Sequence, residues 1–270
     1  MFPKNLCISI AEFPGKTGGA MHNTGYKELG LEFVYVPLKV TPKNLKNAIN
    51  GVRGLGIRGC GVSMPHKVRV IEFLDRLDEK AGKIGAVNTI VNENGKLAGY
   101  NTDYYAILAA LNGIDSKGGR EAVVIGAGGA ARAAILALKD SKWANISVLN
   151  RTDKKAKDLA DEFDVHFIKW KDLGKIKGMV LVNATPIGMK QVKSSLVAGK
   201  KILTHFSAVI DLVTDQLETS LIKEGKELGL IAVPGYRIAL LQAAKQFELY
   251  TGHHAPLEVM ERKLMELLSD

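Results

Sequence analysis

The sequence predicts an α/β protein with two domains, an N-terminal α/β domain and a second domain built on a parallel sheet. Apolar runs of strand length alternate with helical patterns from one end of the chain to the other, and this alternation is typical of parallel sheets with right-handed crossovers. A predicted helix at 103–113 and the polar, glycine-rich DSKGGR at 115–120 form the expected connection between the domains. The length of 270 residues suits two domains of ordinary size.

The first hundred residues predict three strands with helices between them, followed by a hairpin. The strands are NLCISIA (5–11), EFVYVPL (32–38) and IRGCGVS (57–63). The first helix, in GGAMHNTGYKELG, should end at Gly30. The second should start after Thr41, a plausible N-cap, with Pro42 in the first helical position. After a further helical stretch, AVNTIVNENGKLAGY predicts a hairpin that turns at Asn94-Gly95.

The second half continues the alternation and closes with two helices. EAVVIGAGGAARAAILALKD predicts a strand, a glycine turn and an alanine-rich helix. Further strands are predicted in ISVLNRT, HFIKW, GMVLVNATPIGM, SAVIDLV and LIAVPG, with helices in DKKAKDLADEF and SLIKEGKELG. The closing helices are YRIALLQAAKQFELYTG and APLEVMERKLMELL.

Composition excludes several classes of protein. With 46% hydrophobic and 24% charged residues the chain should fold, and it has no apolar run near the ~20 residues that span a bilayer. The N-terminus turns acidic too early for a secretory signal. Cys7 and Cys60 lie in apolar stretches, which favours buried thiols and a cytoplasmic location over a disulfide or zinc site. The net charge of +9 is interleaved with acidic residues, so it favours an anionic small molecule at least as much as nucleic acid.

The glycine turn of the second half fits the dinucleotide-binding pattern G-x-G-x-x-G/A. Its residues are Gly126, Ala127, Gly128, Gly129, Ala130 and Ala131. Gly126 permits the tight turn, Gly128 lets the backbone approach a pyrophosphate, and Ala131 allows close helix–strand packing. Backbone N–H groups at the helix start would then face the anion.

The end of the next strand favours NADP over NAD. Asn150 is followed by Arg151, Thr152 and, further on, Lys155. An arginine here can pair with the 2′-phosphate of NADP and lie flat against adenine. Asp153 could accept from the ribose of NAD, but it would equally suit a helix N-cap.

The first half contains two further constellations of polar residues, at strand ends or turns. They are GVSMPHK at 61–67, and GAVNT at 85–89 followed by GYNTD at 99–103. In α/β sheets such positions open into the ligand crevice.

Together these motifs resemble the shikimate dehydrogenase family over nearly the whole chain. The matching pieces, in order, are V-S-M-P-H-K, G-A-V-N-T, N-T-D, G-A-G-G-A-A-R, N-R-T, N-A-T-P-I-G-M and Q-x4-F-E-L-Y-T-G. The resemblance implies a substrate-binding and catalytic domain at 1–102, completed by C-terminal helices at 236–270. It implies a Rossmann-type NADP-binding domain at 103–235 and an active site in the cleft. It also implies a small-molecule hydroxy acid as substrate, in aromatic amino acid biosynthesis, and we expect a monomer or homodimer without nucleic-acid or membrane partners.

The resemblance assigns roles to particular residues. Lys67 and Asp103 match the catalytic pair. Substrate hydrogen-bonding positions match Ser63, Asn88 and Gln242. The remaining cofactor-binding positions, besides the glycine turn, match Asn150, Arg151, Thr152, Lys155, Thr185, Met189 and Gly235. The residue types suit the reaction, because oxidising a secondary alcohol releases a proton that a lysine held by a carboxylate can take.

The sequence departs from the family at the substrate carboxylate. The paired serines of the family's S-x-S-P motif fall on Lys16 and Gly18, and its proline falls on Gly19. Gly61 replaces the asparagine of N-V-T, and Thr214 replaces a tyrosine. Either Lys16, with Thr17 beside it, binds the carboxylate in place of the serines, or the substrate differs, or Lys16 points to solvent.

The predicted function is therefore an NADP-dependent dehydrogenase that interconverts 3-dehydroshikimate and shikimate, or acts on a closely related cyclic hydroxy acid, with weak shikimate activity. An alternative is a dehydrogenase for quinate or another hydroxy acid. A non-catalytic NADP-binding sensor is the alternative of another class, and nucleic-acid binding through net charge is a third. We expect no bound metal.

Overall fold

The computed structural model describes residues 4–114, 120–192 and 197–269. The chain divides into two compact units, Met1–Thr102 with Ala239–Asp270, and Asp103–Ile238. For comparison, the domain boundaries expected from the sequence follow residues 102 and 235. Most of the expected DSKGGR connection, residues 115–119, lies outside the described residues.

The elements follow the alternation predicted from the sequence. The helices are α1 (Thr17–Glu28), α2 (Leu45–Gly54), α3 (Glu79–Ile84), α4 (Thr102–Asn112), α5 (Gly129–Asp140), α6 (Asp153–Phe163), α7 (Lys200–Leu203), α8 (Ser220–Glu227), α9 (Gly235–Thr251) and α10 (Leu257–Ser269). The strands are β1 (Asn5–Ala11), β2 (Phe33–Lys39), β3 (Gly59–Val62), β4 (Arg76–Leu77), β5 (Thr89–Glu93), β6 (Lys96–Tyr100), β7 (Glu121–Ile125), β8 (Asn145–Leu149), β9 (His166–Phe167), β10 (Val180–Asn183), β11 (Ala208–Asp211) and β12 (Ile231–Val233). The sequence did not indicate β4 or α7.

The first unit contains a six-stranded sheet in the order β2-β1-β3-β5-β6-β4. β1 runs parallel to β2 and β3, whereas β5 runs antiparallel to β3 and β6. The predicted hairpin is confirmed, and Asn94 and Gly95 have the positive φ values of 52° and 87° that a tight hairpin turn requires. Because of this hairpin the sheet is mixed, and the α/β class expected for this unit is confirmed.

Thr41 precedes helical structure but does not cap it with its side chain. Residues Pro42–Asn44 form a 3-10 turn before α2, and the Asn44 amide donates to the Thr41 carbonyl at 3.0 Å. Thr41 is therefore the N-cap and Pro42 takes the first helical position, as the sequence predicted. A tighter first turn uses the backbone carbonyl, and the Thr41 hydroxyl makes no cap hydrogen bond.

The sheet of the first unit is covered on both faces. One face packs Ile8, Cys60 and Val62 against Ile49 and other apolar residues of α2. Against the other face lies an aromatic cluster of His22, Tyr26, Tyr35, Phe247 and Tyr250. Cys7 and Cys60 are buried free thiols, as predicted from the sequence.

The second unit contains a six-stranded, all-parallel sheet in the order β12-β11-β10-β7-β8-β9. Numbered from β7, the order is 3-2-1-4-5-6, that of the dinucleotide-binding Rossmann fold. The predicted parallel sheet of this domain, and with it the predicted two-domain α/β class, is thereby confirmed. The strand order reverses between β7 and β10, and ligands of such sheets bind in the crevice at that point.

Among the described residues, no helix is both long enough and apolar enough to cross a membrane.

Candidate active site

The loop after β3 carries Ser63 and Lys67 and is fixed at both ends. The Ser63 amide donates to the Ile10 carbonyl at 2.9 Å, and the Lys67 carbonyl accepts from the Val87 amide at 2.7 Å. Between them, the buried His66 ring donates from Nε2 to the Val40 carbonyl at 2.8 Å. The loop is therefore pre-organised, with Ser63 exposed and Lys67 half-buried.

Asn88 is the centre of a buried hydrogen-bond network. Its Oδ1 accepts from the Thr102 amide at 2.7 Å, from Thr89 Oγ1 at 2.7 Å and from Thr102 Oγ1 at 3.1 Å. Its Nδ2 donates to Gln242 Oε1 at 3.1 Å. Since a backbone amide can only donate, the Thr102 contact fixes which end of the Asn88 amide is oxygen. The structure thus brings together two predicted substrate residues, Asn88 and Gln242, 154 positions apart in the chain.

Asp103 lies in the first turn of α4 and is 8% exposed. It directly follows Thr102, the residue whose amide binds Asn88, while Asn101 donates from Nδ2 to the Ala86 carbonyl at 2.9 Å. The start of α4 is therefore anchored to the segment that precedes β5. Because α4 begins at Thr102, Asp103 is inside the helix and is not its N-cap.

Lys16 occupies the position before the first turn of α1. It is exposed, makes no side-chain cap, and no acidic residue lies in that turn. A helix N-terminus with an adjacent ammonium favours an anion. A Cβ added at Gly18 would meet nothing within 4 Å, whereas one at Gly19 would lie 3.3 Å from Pro37 Cδ. Thr17, the first residue of the helix, is half-buried.

Gly61 faces the hydroxyl of Tyr35. A Cβ added at Gly61 would lie 2.6 Å from Tyr35 Oη, 3.3 Å from Ser9 Cβ and 3.6 Å from Gln246 Nε2. The Tyr35 ring cannot easily withdraw, because it stacks on His22 at 4.4 Å with an interplanar angle of 5°. The departure at position 61 is therefore coupled to Tyr35, a residue that sequence reasoning did not select.

Substituting Gly61 with alanine should lower the free energy of unfolding by about 2 kcal/mol, since overpacking in a buried site typically costs about 1–3 kcal/mol. In a Tyr35→Phe background the loss should fall below about 1 kcal/mol, because the obstructing hydroxyl is gone. Chemical denaturation of the single and double variants measures this coupling.

Gly18→Ala is the control for this pair, because the same methyl is added to a helical glycine with open space around it. It should leave the protein as stable or make it slightly more stable. Strictly additive effects of Gly61→Ala and Tyr35→Phe would contradict the coupling.

The glycine turn after β7 has the shape that a pyrophosphate cradle requires. Gly126 has a φ of 126°, and a Cβ there would lie 2.7 Å from the Ala184 carbonyl oxygen. Gly128 is the exposed N-cap of α5, and a Cβ there would meet nothing within 4 Å. Ala127, Gly129 and Ala130 are half-buried between these positions and the first turn of α5. A side chain is sterically excluded at Gly126, whereas the backbone at Gly128 is open to a ligand. The turn therefore fits a dinucleotide.

The segment after β8 presents cations to solvent. Asn150 Nδ2 donates to the Thr152 carbonyl at 3.2 Å and holds the turn, and Arg151, Thr152 and Lys155 are exposed. Thr152, not Asp153, is the N-cap of α6. Asp153 Oδ1 instead accepts from the Trp170 amide at 2.8 Å, so the N-cap interpretation of Asp153 is wrong. A carboxylate engaged in this way is a poor ribose ligand, whereas the guanidinium of Arg151 suits a phosphate.

A buried network that sequence reasoning missed organises the loop after β10. Asn183 Oδ1 accepts from the amide of Thr185 at 3.1 Å and from its hydroxyl at 2.7 Å. Asn183 Nδ2 donates to Asp211 Oδ1 at 2.9 Å, and Thr219 Oγ1 donates to Asp211 Oδ2 at 2.5 Å. Burial raises the pKa of Asp211 to about 6, against the opposing effect of these hydrogen bonds. Asn183 and Asp211 end neighbouring strands, and that placement was the available signal.

Met189 lies on the loop after β10, and Gly235 is the first residue of the helix after β12, a parallel strand of the same sheet. Gly188, with a φ of 106°, turns the chain before the half-buried Met189. Gly235 starts α9, and a Cβ there would collide with the Val213 carbonyl. The half-buried Thr214 follows Val213 directly. Gly235 is thus required for close backbone packing, whatever else it binds.

The sequence matches known families over three ranges. Residues 17–90 match the family described as shikimate dehydrogenase substrate binding domain. Residues 109–188 match shikimate / quinate 5-dehydrogenase, and residues 235–265 match the shikimate 5′-dehydrogenase C-terminal domain.

Similar proteins cover almost the whole chain. The shikimate dehydrogenase (NADP(+)) of Pyrococcus furiosus is 40% identical over 259 residues, which span 93% of this chain and 91% of that protein. A shikimate dehydrogenase-like protein of Haemophilus influenzae is 38% identical over 253 residues, spanning 93% of this chain and 92% of that protein. The solved shikimate 5-dehydrogenase of Thermus thermophilus, in complex with NADP(H) and shikimate, has a TM-score of 0.85 and 31% identity, covering 98% of this chain and 99% of that chain.

Proposed function

The chain belongs to the shikimate dehydrogenase family, and we propose that it interconverts shikimate, or a closely related cyclic hydroxy acid, and the corresponding ketone with NADP. It is an NADP-dependent oxidoreductase that acts on a secondary alcohol, like its relatives. The observation that supports the proposal most is the hydrogen bond between Asn88 and Gln242. The residue before Asn88, Val87, donates its amide to the Lys67 carbonyl.

Each candidate catalytic or substrate-binding residue has a proposed task. Lys67 takes the proton of the substrate hydroxyl during oxidation and returns it to the ketone oxygen in the reverse direction. Asp103 orients the ammonium and the hydroxyl. Asn88, Gln242 and the exposed hydroxyl of Ser63 hydrogen-bond other polar groups of the substrate and fix its orientation, which a hydride transfer requires.

The second unit supplies the proposed cofactor contacts. NADP, when bound, supplies the hydride acceptor at C4 of its nicotinamide. The turn of Gly126, Ala127, Gly128, Gly129 and Ala130 would hold the pyrophosphate with backbone N–H groups at the start of α5. The adenosine 2′-phosphate would be held by Asn150, Arg151, Thr152 and Lys155, and the nicotinamide end by Thr185, Met189 and Gly235.

The substrate carboxylate is proposed to bind Lys16 and Thr17 in place of the two serines of relatives. The exposed ammonium at the start of α1 and the missing acidic residues in that turn support this role. The same departure supports a second candidate, a dehydrogenase for quinate or another cyclic hydroxy acid, since one flexible ammonium holds a carboxylate less rigidly than two hydroxyls. We also place the enzyme in the reducing cytoplasm, where its two buried thiols would persist.

Formation of NADPH by the purified protein with shikimate and with quinate tests the function. Turnover of at least one of them is expected. Lys16→Met should raise KM for that hydroxy acid roughly tenfold and leave KM for NADP unchanged, since a hydrogen bond to a charged group contributes about 1.5–3 kcal/mol.

Lys27→Met is the matched control, because it removes an exposed lysine from the last turn of the same helix. An unchanged KM in Lys16→Met would remove Lys16 from the substrate site. Tight NADP binding without hydride transfer from any cyclic hydroxy acid would support the non-catalytic sensor instead.

A further inference from the structure

Gln246 lies on α9, one helical turn after Gln242, and is 5% exposed. Its Nε2 donates to Thr89 Oγ1 at 2.9 Å and to the backbone carbonyl of Asn88 at 3.3 Å. Both acceptors belong to Asn88 and Thr89, and the side-chain amide of Asn88 is the group proposed to bind the substrate. A polar side chain of this size is rarely buried unless it is hydrogen-bonded, so these contacts account for its position.

The two glutamines of α9 hold two different parts of the same short segment. Gln242 binds the side chain of Asn88, and Gln246 binds its backbone and the neighbouring Thr89. Residues four apart lie on one face of a helix, so both contacts move together with α9. The helix therefore fixes Asn88 at the side chain and at the main chain at once.

The Gln246 contact also restricts the direction of the Thr89 hydroxyl. That hydroxyl has one proton, and Gln246 Nε2 occupies one of its acceptor positions. Of the two acceptors within reach of the proton, Asn88 Oδ1 at 2.7 Å is nearer than Thr102 Oγ1 at 3.2 Å. Without the amide donor, the hydroxyl could rotate and the Asn88 amide would lose part of its orientation.

The side-chain amide of Gln246 lies in the space beside Gly61 of β3, close to α1. A Cβ at Gly61 would approach its Nε2 to 3.6 Å, so the absence of a side chain on β3 makes room for it. On the α1 side, burial lowers the pKa of His22 to about 4. The His22 ring is therefore neutral near neutral pH and adds no positive charge on this side of Gln246.

We propose that Gln246 is a positioning residue, which acts through Thr89 and the Asn88 carbonyl to hold the Asn88 amide in the orientation that binds the hydroxy acid. The inference rests on the proposed function in one respect, the assignment of Asn88 to the substrate.

The test compares Gln246→Met with Gln246→Ala, because methionine keeps the length and volume of glutamine but cannot donate. Both variants should raise KM for the hydroxy acid on the order of tenfold, the value of one to two hydrogen bonds. They should change kcat less than about threefold and leave KM for NADP unchanged. Recovery of KM in the Met variant would show that only packing matters and would overturn the proposal.

Tyr250→Phe is the matched control on α9. Tyr250 is 1% exposed, and its hydroxyl has no hydrogen-bond partner among the described residues. This variant changes a buried polar group of the same helix without touching Asn88 or Thr89, so KM for the hydroxy acid should stay at the wild-type value. A rise equal to that of the Gln246 variants would make the effect a general one of α9 packing and overturn the proposal.

Hydrogen exchange of the Thr102 amide gives a readout without catalysis. This amide donates to Asn88 Oδ1 at 2.7 Å, so it reports the orientation of Asn88 directly. It should exchange faster in Gln246→Met than in the wild type or in Tyr250→Phe. If the wild type turns over no hydroxy acid, the proposed function fails while this measurement still stands. Unchanged exchange in Gln246→Met would overturn the positioning role even in an active enzyme.

Discussion

Replacing Lys67 with alanine is expected to lower kcat for the hydroxy acid by about 10²–10⁴-fold, the range that a positioned general acid or base contributes. Lys67 is half-buried on a loop whose ends are fixed by backbone hydrogen bonds to β1 and to Val87. Removing the ammonium takes away the proposed proton partner without removing the loop. KM for NADP should therefore change little, and steady-state rates in both directions measure the effect.

The Lys67→Arg variant distinguishes a residue that exchanges a proton from one that only supplies a positive charge. Arginine keeps the positive charge but does not release its proton at any accessible pH. If Lys67 exchanges the proton, oxidation by the Arg variant should stay far below the wild-type rate. Near-normal oxidation would instead reduce the role of Lys67 to that of a fixed charge. Lys83→Ala, which removes an exposed lysine from α3, should leave kcat unchanged and serves as the control.

Much of the second unit could be predicted from the sequence, because its constraints are local. A strand buried on both faces is visible in the sequence as an apolar run such as VVIG. The tight turn from this strand to the next helix has a φ of 126° at position 126, which requires glycine. The hairpin at Asn94-Gly95 was predictable for the same reason, since few residues accept two consecutive positive φ values. In contrast, β4 has only two residues, too few to show the alternation of apolar and polar residues that indicates a strand.

The contacts that hold the candidate site could not be predicted in this way. Gln246 meets Thr89 across 157 positions, and nothing near either residue indicates the other. The same holds for Asn183 and Asp211, which meet only because β10 and β11 are neighbours in the sheet. The proposed catalytic and substrate residues could be found from motifs, whereas the side chains proposed to orient them could be found only from the fold. Tyr35 belongs to this second group, because its influence on position 61 depends on the pairing of β2 and β3 with β1.

Replacing Arg151 with alanine is expected to raise KM for NADP by roughly 10–100-fold while changing KM for NAD less than about threefold. A charge-assisted hydrogen bond is worth about 1.5–3 kcal/mol, and NAD lacks the 2′-phosphate that would receive it. Arg151 is exposed at the turn that Asn150 holds, so the substitution should not disturb β8 or α6. Steady-state kinetics with each cofactor at saturating hydroxy acid measure the ratio.

Lys154→Ala is the matched control for Arg151, because it removes a nearby exposed cation that is already paired with Asp158 at 2.7 Å. It should leave the preference for NADP intact. The Arg151 effect should also shrink at high ionic strength, since salt screens contacts between exposed charges. Equal losses for NADP and NAD in Arg151→Ala would place the guanidinium against the adenine, which both cofactors share. Selectivity would then have to come from Asn150, Thr152 and Lys155 alone.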